Sequence, residues 1–208
     1  MTDNRTILQP EISNFTNSIP VQVYDATLQA WATAVEHHAR ESEGHTHRVV
    51  GMTVWLAKVM EVNDYHIKNV QRGAVLHDIG NMVVPESILH SKGNLTVEDW
   101  VTVHMHPYNA YEMLAPIEIL RPALEIPYFH HEKWDGTGYP RGMKGEQIPL
   151  AARIFSLVDV YDALVSDRPY RKAWSKDEAV LHLQEESGKH FDPKVVNVFM
   201  DHWQKFAL

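Results

Sequence analysis

The sequence predicts an all-α fold, a helical bundle. Apolar residues recur at three- and four-residue spacing along most of the chain. Alternating patterns of the kind strands require are nearly absent. Caps and Gly/Pro breaks divide the periodic stretches into roughly eight helices.

The opening residues are polar, with Pro10 and Pro20 as breakers, so residues 1–23 read as an arm or short preceding element. Residues 24–208 read as one domain, a length suited to a single core. Asp25 is expected to cap a helix carrying Leu28, Trp31, Ala32 and Val35 on one face. A helix is expected from His45 to Val62, with Val49, Met52, Leu56, Val59 and Met60 as its apolar stripe. Asp64 is expected to cap the next, which runs through Ile67, Val70 and Ala74 to His77 and Asp78 and ends near Gly80. Pro85 opens a short turn of helix, and Gly93 and Asn94 break the chain. Thr96 to Asp99 reads as a variant capping box, with aspartate where glutamate or glutamine is usual. Pro107 and Pro116 punctuate two further helical stretches, and residues 136–145 form a Gly/Pro-rich loop. Ile148–Leu164, Lys176–Glu186 and Pro193–Phe206 complete the helical patterns.

Composition narrows the function. No apolar run approaches a membrane span, and the polar start is no signal peptide, so no membrane partner and a cytoplasmic location are expected. There is no cysteine, which excludes thiolate metal sites and disulfides. A formal net charge of −8 argues against binding long nucleic acid, though not against a small phosphate ligand. The 14 histidines matter only by position, because many histidines sit on surfaces.

His77-Asp78 offers a nitrogen beside a carboxylate able to bridge two cations, though alone it is also a plain capped helix end. Glu41 and His45 are four apart and would share a helix face, as an ordinary exposed pair would. His106 taken singly reads as a surface histidine. His130-His131 closes a helical stretch. Asp159 lies in the apolar run Ile154-Phe155-Ser156-Leu157-Val158, where a carboxylate is costly unless paired or metal-bound. Together Glu41, His45, His77, Asp78, His106, His130, His131 and Asp159 form an oxygen and nitrogen donor set suited to iron or manganese, with zinc also compatible.

The order His45, His77-Asp78, Asp159 resembles the HD superfamily of metal-dependent phosphohydrolases. The segment from His130 through Trp134, Gly136 and Gly138-Tyr139-Pro140 resembles the signature of its HD-GYP branch. So do Gly44-His45-x-x-Arg48-Val49, residues 148–154 and Asp167-Arg168-Pro169-Tyr170-Arg171. Several motifs in the right order are far more specific than any one. The resemblance implies an HD-type helical bundle with metals held between helices. It implies hydrolysis of cyclic di-GMP to linear pGpG, GMP or both, by attack of metal-bound hydroxide. It implies two or three divalent metals, most often iron, and a carboxylate at Glu41 favours three.

Asp78 is the expected bridging ligand. Gly138, Tyr139 and Pro140 are expected at the substrate, where Tyr139 either stacks on a base or packs as a structural anchor. Arg168 and Arg171 are expected on phosphates or guanine edges by resemblance; without it they read as a solvated basic turn. Arg48 and Asp162 read as an ion pair supporting the structure or the ligands. Where the family usually has lysine after Ile-Gly, this chain has Asn81, which can donate a hydrogen bond but brings no charge. That departure predicts a slow phosphodiesterase or a related substrate, and it keeps alive a cyclic-dinucleotide receptor. Another HD phosphohydrolase and a metal-stabilised scaffold are the remaining readings. A homodimer or a signalling protein partner is compatible with the chain.

Overall fold

The computed structural model describes residues 20–91, 93–167 and 171–206. Most of the expected arm, together with Arg168, lies outside the described residues. Ten α-helices follow one another: α1 (Val21–Ala39), α2 (His45–Val59), α3 (Asp64–Val75), α4 (Glu86–Leu89), α5 (Val97–His104), α6 (His106–Leu114), α7 (Glu125–Phe129), α8 (Leu150–Val165), α9 (Lys176–Glu185) and α10 (Pro193–Met200). Short 3-10 turns occupy Ile79–Val83, Glu118–Ala123, Gly145–Gln147 and Trp203–Phe206. No strand forms among the described residues, as an all-α reading requires. No helix among them is long and apolar enough to cross a membrane.

Several local expectations shift. Helix α1 starts at Val21 behind Pro20, whose carbonyl accepts from Val23 and Tyr24, so Asp25 lies inside the helix and pairs with Arg72 at 2.9 Å instead of capping. Asn63, not Asp64, caps α3, its side chain accepting from the Tyr65 amide at 2.8 Å. Helix α3 stops at Val75, because the chain tightens there into 3-10 hydrogen bonds: Ile79 N–H to the Leu76 carbonyl and Asn81 N–H to that of Asp78. His77 and Asp78 therefore sit in a turn between helices rather than on one. Helix α1 ends before a left-handed Arg40, so Glu41 lies in a loop and shares no helix with His45. The last helical pattern divides at Met200. The Thr96 capping box forms with Asp99.

The core has two parts. One gathers Leu56, Ile67, Ala74, Phe155, Leu183 and Phe199 from α2, α3, α8, α9 and α10. The other gathers Leu28, Ala32, Val35, Leu76, Ile79, Ala110 and Leu114 from α1, α6 and the turn after α3. Trp31 does not join Leu28, Ala32 and Val35 inside; it stays 41% exposed beside Met82 and Met113. The chain crosses from the first part to the second between Ala74 and Leu76, so His77-Asp78 lies on their seam.

Gly80 makes the seam tight. A Cβ there would overlap the His106 carbonyl and crowd the Ala110 amide, both backbone atoms of α6. Only glycine lets the turn lie this close to α6. Gly80→Ala should force backbone apart and cost about 1–3 kcal/mol. Thermal unfolding should show a lowered midpoint, and an unchanged midpoint would refute this account of the contact.

Candidate metal centre

Five elements converge on the seam. His45 opens α2, behind Gly44 in the left-handed region at φ 72°. The turn after α3 delivers His77 and Asp78, His106 begins α6, His130 ends α7 with His131 following, and Asp159 projects from α8. His45, His77, His106 and His130 are all buried. So His106 is no surface histidine; Pro107 in the first turn of α6 helps start a new helix there and turns the imidazole inward.

The donor atoms form two groups, His45 with His77 and Asp159, and His106 with His130 and His131. Within each group the donor atoms lie within 4.8 Å of one another. Asp78 stands between them. Its Oδ2 is 3.4 Å from His77 Nε2, while its Oδ1 is 3.4 Å from His106 Nε2 and 3.8 Å from His130 Nε2. One carboxylate thus presents one oxygen to each group. Glu41 lines a small cavity with Glu36, His45, His77 and Asp78. The eight residues singled out from sequence are therefore brought to one place.

The far side of four of the rings is fixed. Nδ1 of His77 lies 2.9 Å from the Ala74 carbonyl, that of His106 2.8 Å from Val103, and that of His130 3.0 Å from Ile126. Nδ1 of His45 lies 2.8 Å from Asp162 Oδ2. A carbonyl or carboxylate accepts, so each Nδ1 carries a proton, and in a neutral ring Nε2 then turns a lone pair to the centre. His106 and His130 bring their Nε2 atoms within 3.3 Å. Two lone pairs at that distance repel unless a proton or cation lies between them. Buried nitrogen lone pairs converging on carboxylates match what divalent metals bind.

The charges agree. Burial would raise the Asp78 carboxyl, but His77, His106 and His130 hold it well below its usual range. Burial and the neighbouring His106 push His130 down to about 3, and burial beside His130 and His106 holds His131 well below normal. Burial alone would lower His77, yet Asp78 and Asp159 outweigh it and carry it up to about 9. Asp159 is raised by burial, against the pull of His45 and His77.

The glycine-rich loop is fastened to the ligands. Tyr139 N–H donates to the His131 carbonyl at 3.1 Å, and the Tyr139 ring stacks on His131 and His104 with centroids 4.7 and 4.1 Å away. Its place is that of a packed anchor. Its hydroxyl is held protonated by burial and by the Asp78 and Asp159 carboxylates. A Cβ on Gly138 would run into the backbone of His131, Glu132 and Lys133, so the chain's own packing requires glycine here. Pro140 follows Tyr139 through a cis peptide bond. Asn81 is buried in the turn beyond Asp78. Arg171 donates to the Ala163 and Leu164 carbonyls and lies over Trp174, so its guanidinium is committed to the end of α8.

Two supporting carboxylates escape sequence reasoning. Glu132, 2% exposed, accepts from the Arg141 and Met143 amides at 2.6 and 2.9 Å and closes the loop on itself. Its place before a glycine-rich segment was the available signal, because such loops present unpaired N–H groups. Glu36 accepts from the Thr46 amide at 2.5 Å and holds the start of α2, and no pattern in the sequence marks it.

Two outcomes are expected. Asp78→Ala should weaken metal binding at both groups, by more than the roughly 10–100-fold that losing a supporting residue costs. His131→Ala should weaken only its own group; metal content after desalting reads the difference. Metal-free His77 holds its extra proton until pH rises through about 9. Metal uptake at pH 7 should therefore release a proton from His77, and the release should fade as pH climbs past that value. Binding enthalpies in buffers of different ionisation heat measure it; pH-independent proton release would contradict the assignment.

Comparison with known proteins fits this geometry. Residues 29–195 match the family model described as HD domain. The 3'3'-cGAMP-specific phosphodiesterase 2 of Vibrio cholerae is 35% identical over 177 residues, 84% of this chain and 34% of that protein. The cyclic di-GMP phosphodiesterase response regulator RpfG of Xanthomonas campestris is 34% identical over 176 residues, 84% of this chain and 47% of that protein. The chain thus spans between a third and a half of these relatives. An HDG"Y"P protein from Bdellovibrio bacteriovorus shares the fold with a TM-score of 0.64 at 20% identity, over 89% of this chain and 65% of that one. With its histidine and aspartate motifs gathered on one seam, this chain belongs to the HD domain family, in the HD-GYP branch.

Proposed function

We propose that this chain is a metal-dependent phosphodiesterase that hydrolyses a cyclic dinucleotide, with cyclic di-GMP as substrate and linear pGpG, GMP or both as products. The observation that carries this reading is Asp78, one carboxylate offered to two buried donor groups. The names of the relatives support the substrate class. His45, His77 and Asp159 would hold one cation and His106, His130 and His131 another, with Asp78 between. Glu41 would serve a third, and iron is favoured over manganese. Divalent cations so held neutralise phosphate charge and lower the pKa of water, the two demands of phosphodiester hydrolysis.

The reaction adds water across one P–O bond. The water oxygen bonds to phosphorus, the bond to the ribose 3' oxygen breaks, and that oxygen leaves with a proton. Asp78 and Asp159 keep side-chain exposures of 18% and 24%, which leaves solvent a path to the centre. The Tyr139 hydroxyl, held protonated, remains a hydrogen-bond donor near Asp78 and Asp159 throughout the neutral range. Asn81 can donate to the substrate but adds no charge there. The unit assigned this activity opens with α1 at Val21, three residues before the boundary expected from sequence, and a cytoplasmic place is proposed for it.

A receptor that binds the dinucleotide without turnover is the second reading, and Asn81 is the observation that favours it. The test is metal analysis together with turnover of cyclic di-GMP and 3'3'-cGAMP. It uses anaerobically purified protein, reconstituted separately with iron and with manganese. Two or three metals per chain and a linear product or mononucleotide are expected. Metal and ligand bound with the ligand left intact would replace the enzyme by the receptor. Asn81→Lys should raise turnover, because an electrostatic stabiliser of this kind is worth up to about 10²–10³ in rate. Unchanged or lower turnover in metal-replete protein would sink the explanation from Asn81.

A further inference from the structure

Four histidines of the centre hold Nδ1 in a hydrogen bond, and three of those bonds are local. His77 and His106 each use the carbonyl three residues earlier, and His130 the carbonyl four residues earlier. Such a bond lasts as long as its own turn. His45 also follows a turn, but only its backbone N–H meets the carbonyl three residues earlier, that of Ser42 at 3.0 Å; its Nδ1 turns elsewhere. Its partner is Asp162, 117 positions away on α8, at 2.8 Å.

Asp162 is itself held. It is 1% exposed, and Arg48 donates to it through Nε at 2.6 Å to Oδ1 and through Nη2 at 3.0 Å to Oδ2. Arg48 lies three residues after His45 on α2. It also donates to the Glu43 carbonyl at 2.7 Å, to Ser42 Oγ at 2.9 Å and to Ser166 Oγ at 3.2 Å. One guanidinium thus joins the loop before α2, the end of α8 and the carboxylate behind His45. Its planar fork matches a carboxylate at two points, which a lysine cannot do.

We propose that Asp162 and Arg48 are positioning residues for His45: the carboxylate keeps the proton on Nδ1 and aims Nε2 at Asp159, and Arg48 fixes that carboxylate. The inference rests on the metal-centre reading given above. Nε2 of His45 lies 3.5 Å from Asp159 Oδ1, where a shared cation would sit. The other group, His106 with His130 and His131, needs no contact of this kind. The pair therefore governs one metal group and not the other.

The test uses the chain loaded with zinc and labelled with [15N]histidine. Long-range 1H–15N correlation identifies which ring nitrogen of His45 carries the proton. Nδ1 protonated with Nε2 on the metal is expected, and the reverse overturns the proposal without any mutation. Asp162→Asn lets an amide N–H face Nδ1 and shifts the proton towards Nε2, as such a change does behind other histidines. Zinc affinity should then fall about 10- to 100-fold at the His45 group alone. Arg48→Lys, which keeps the charge and loses the fork, should give a smaller loss at the same group. A folded Asp162→Asn chain that binds zinc at both groups as the parent does would overturn the proposal. Should Asp162→Asn fail to fold, the parent spectrum and Arg48→Lys decide in the same way. Zinc binding is read without substrate. A chain that behaves as expected here but cleaves no dinucleotide would refute the functional proposal and leave this one standing.

Discussion

An ionised carboxylate in a protein interior needs polar or charged partners, and Asp78 has them only if the rings around it stay where they are. His77, His106 and His130 approach it from three different elements. His106 could not do so if the turn after α3 stood further from α6. That closeness depends on the missing side chain of Gly80, against which the His106 backbone is packed. The meeting of His106 with Asp78 is thus a consequence of backbone contact between one turn and one helix. The second part of the core, which takes Ile79 from the turn and Ala110 and Leu114 from α6, holds that contact.

The imidazoles divide the electrostatic work unevenly. Burial and mutual repulsion keep His130 and His131 neutral, which is the form that binds metal. His77 sits close enough to two carboxylates to hold a proton in the absence of metal. The centre therefore combines sites ready for a cation with a site where a cation must displace a proton. Such a mixture couples metal occupancy to pH on one side of Asp78 more than on the other.

Much of this was legible in the chain. The all-α class followed from helical periodicity, and the HD-GYP membership from several motifs in order. The gathering of the eight candidate ligands was legible too, because side-chain identity survives in a sequence whatever the backbone does. What failed was local backbone. Spacing placed Glu41 and His45 on one helix, but the left-handed Arg40 ends α1 before them, and nothing in the residue types announces that turn. Periodicity carried α3 on to Asp78, though 3-10 hydrogen bonding takes over after Val75. Asp25 and Asp64 looked like caps because aspartate favours that position, yet a proline and an asparagine just upstream define the helix starts. His106 looked solvent-facing because its burial comes from α6 packing on a distant turn. Glu36 was missed since its partner is a main-chain amide that leaves no mark in sequence, whereas Glu132 had only the glycine-rich segment after it as a signal.

The Tyr139 loop has one more implication. Its amide and ring both rest on His131, and Glu132 pins the rest of it from the very next position. No hinge separates the segment that would greet a ligand from the segment that grips a cation. A molecule pressing on this loop presses on the His131 imidazole through a single residue. Under the proposed function, recognition and coordination would share one mechanical part, so neither evolution nor engineering could retune the first while leaving the second untouched.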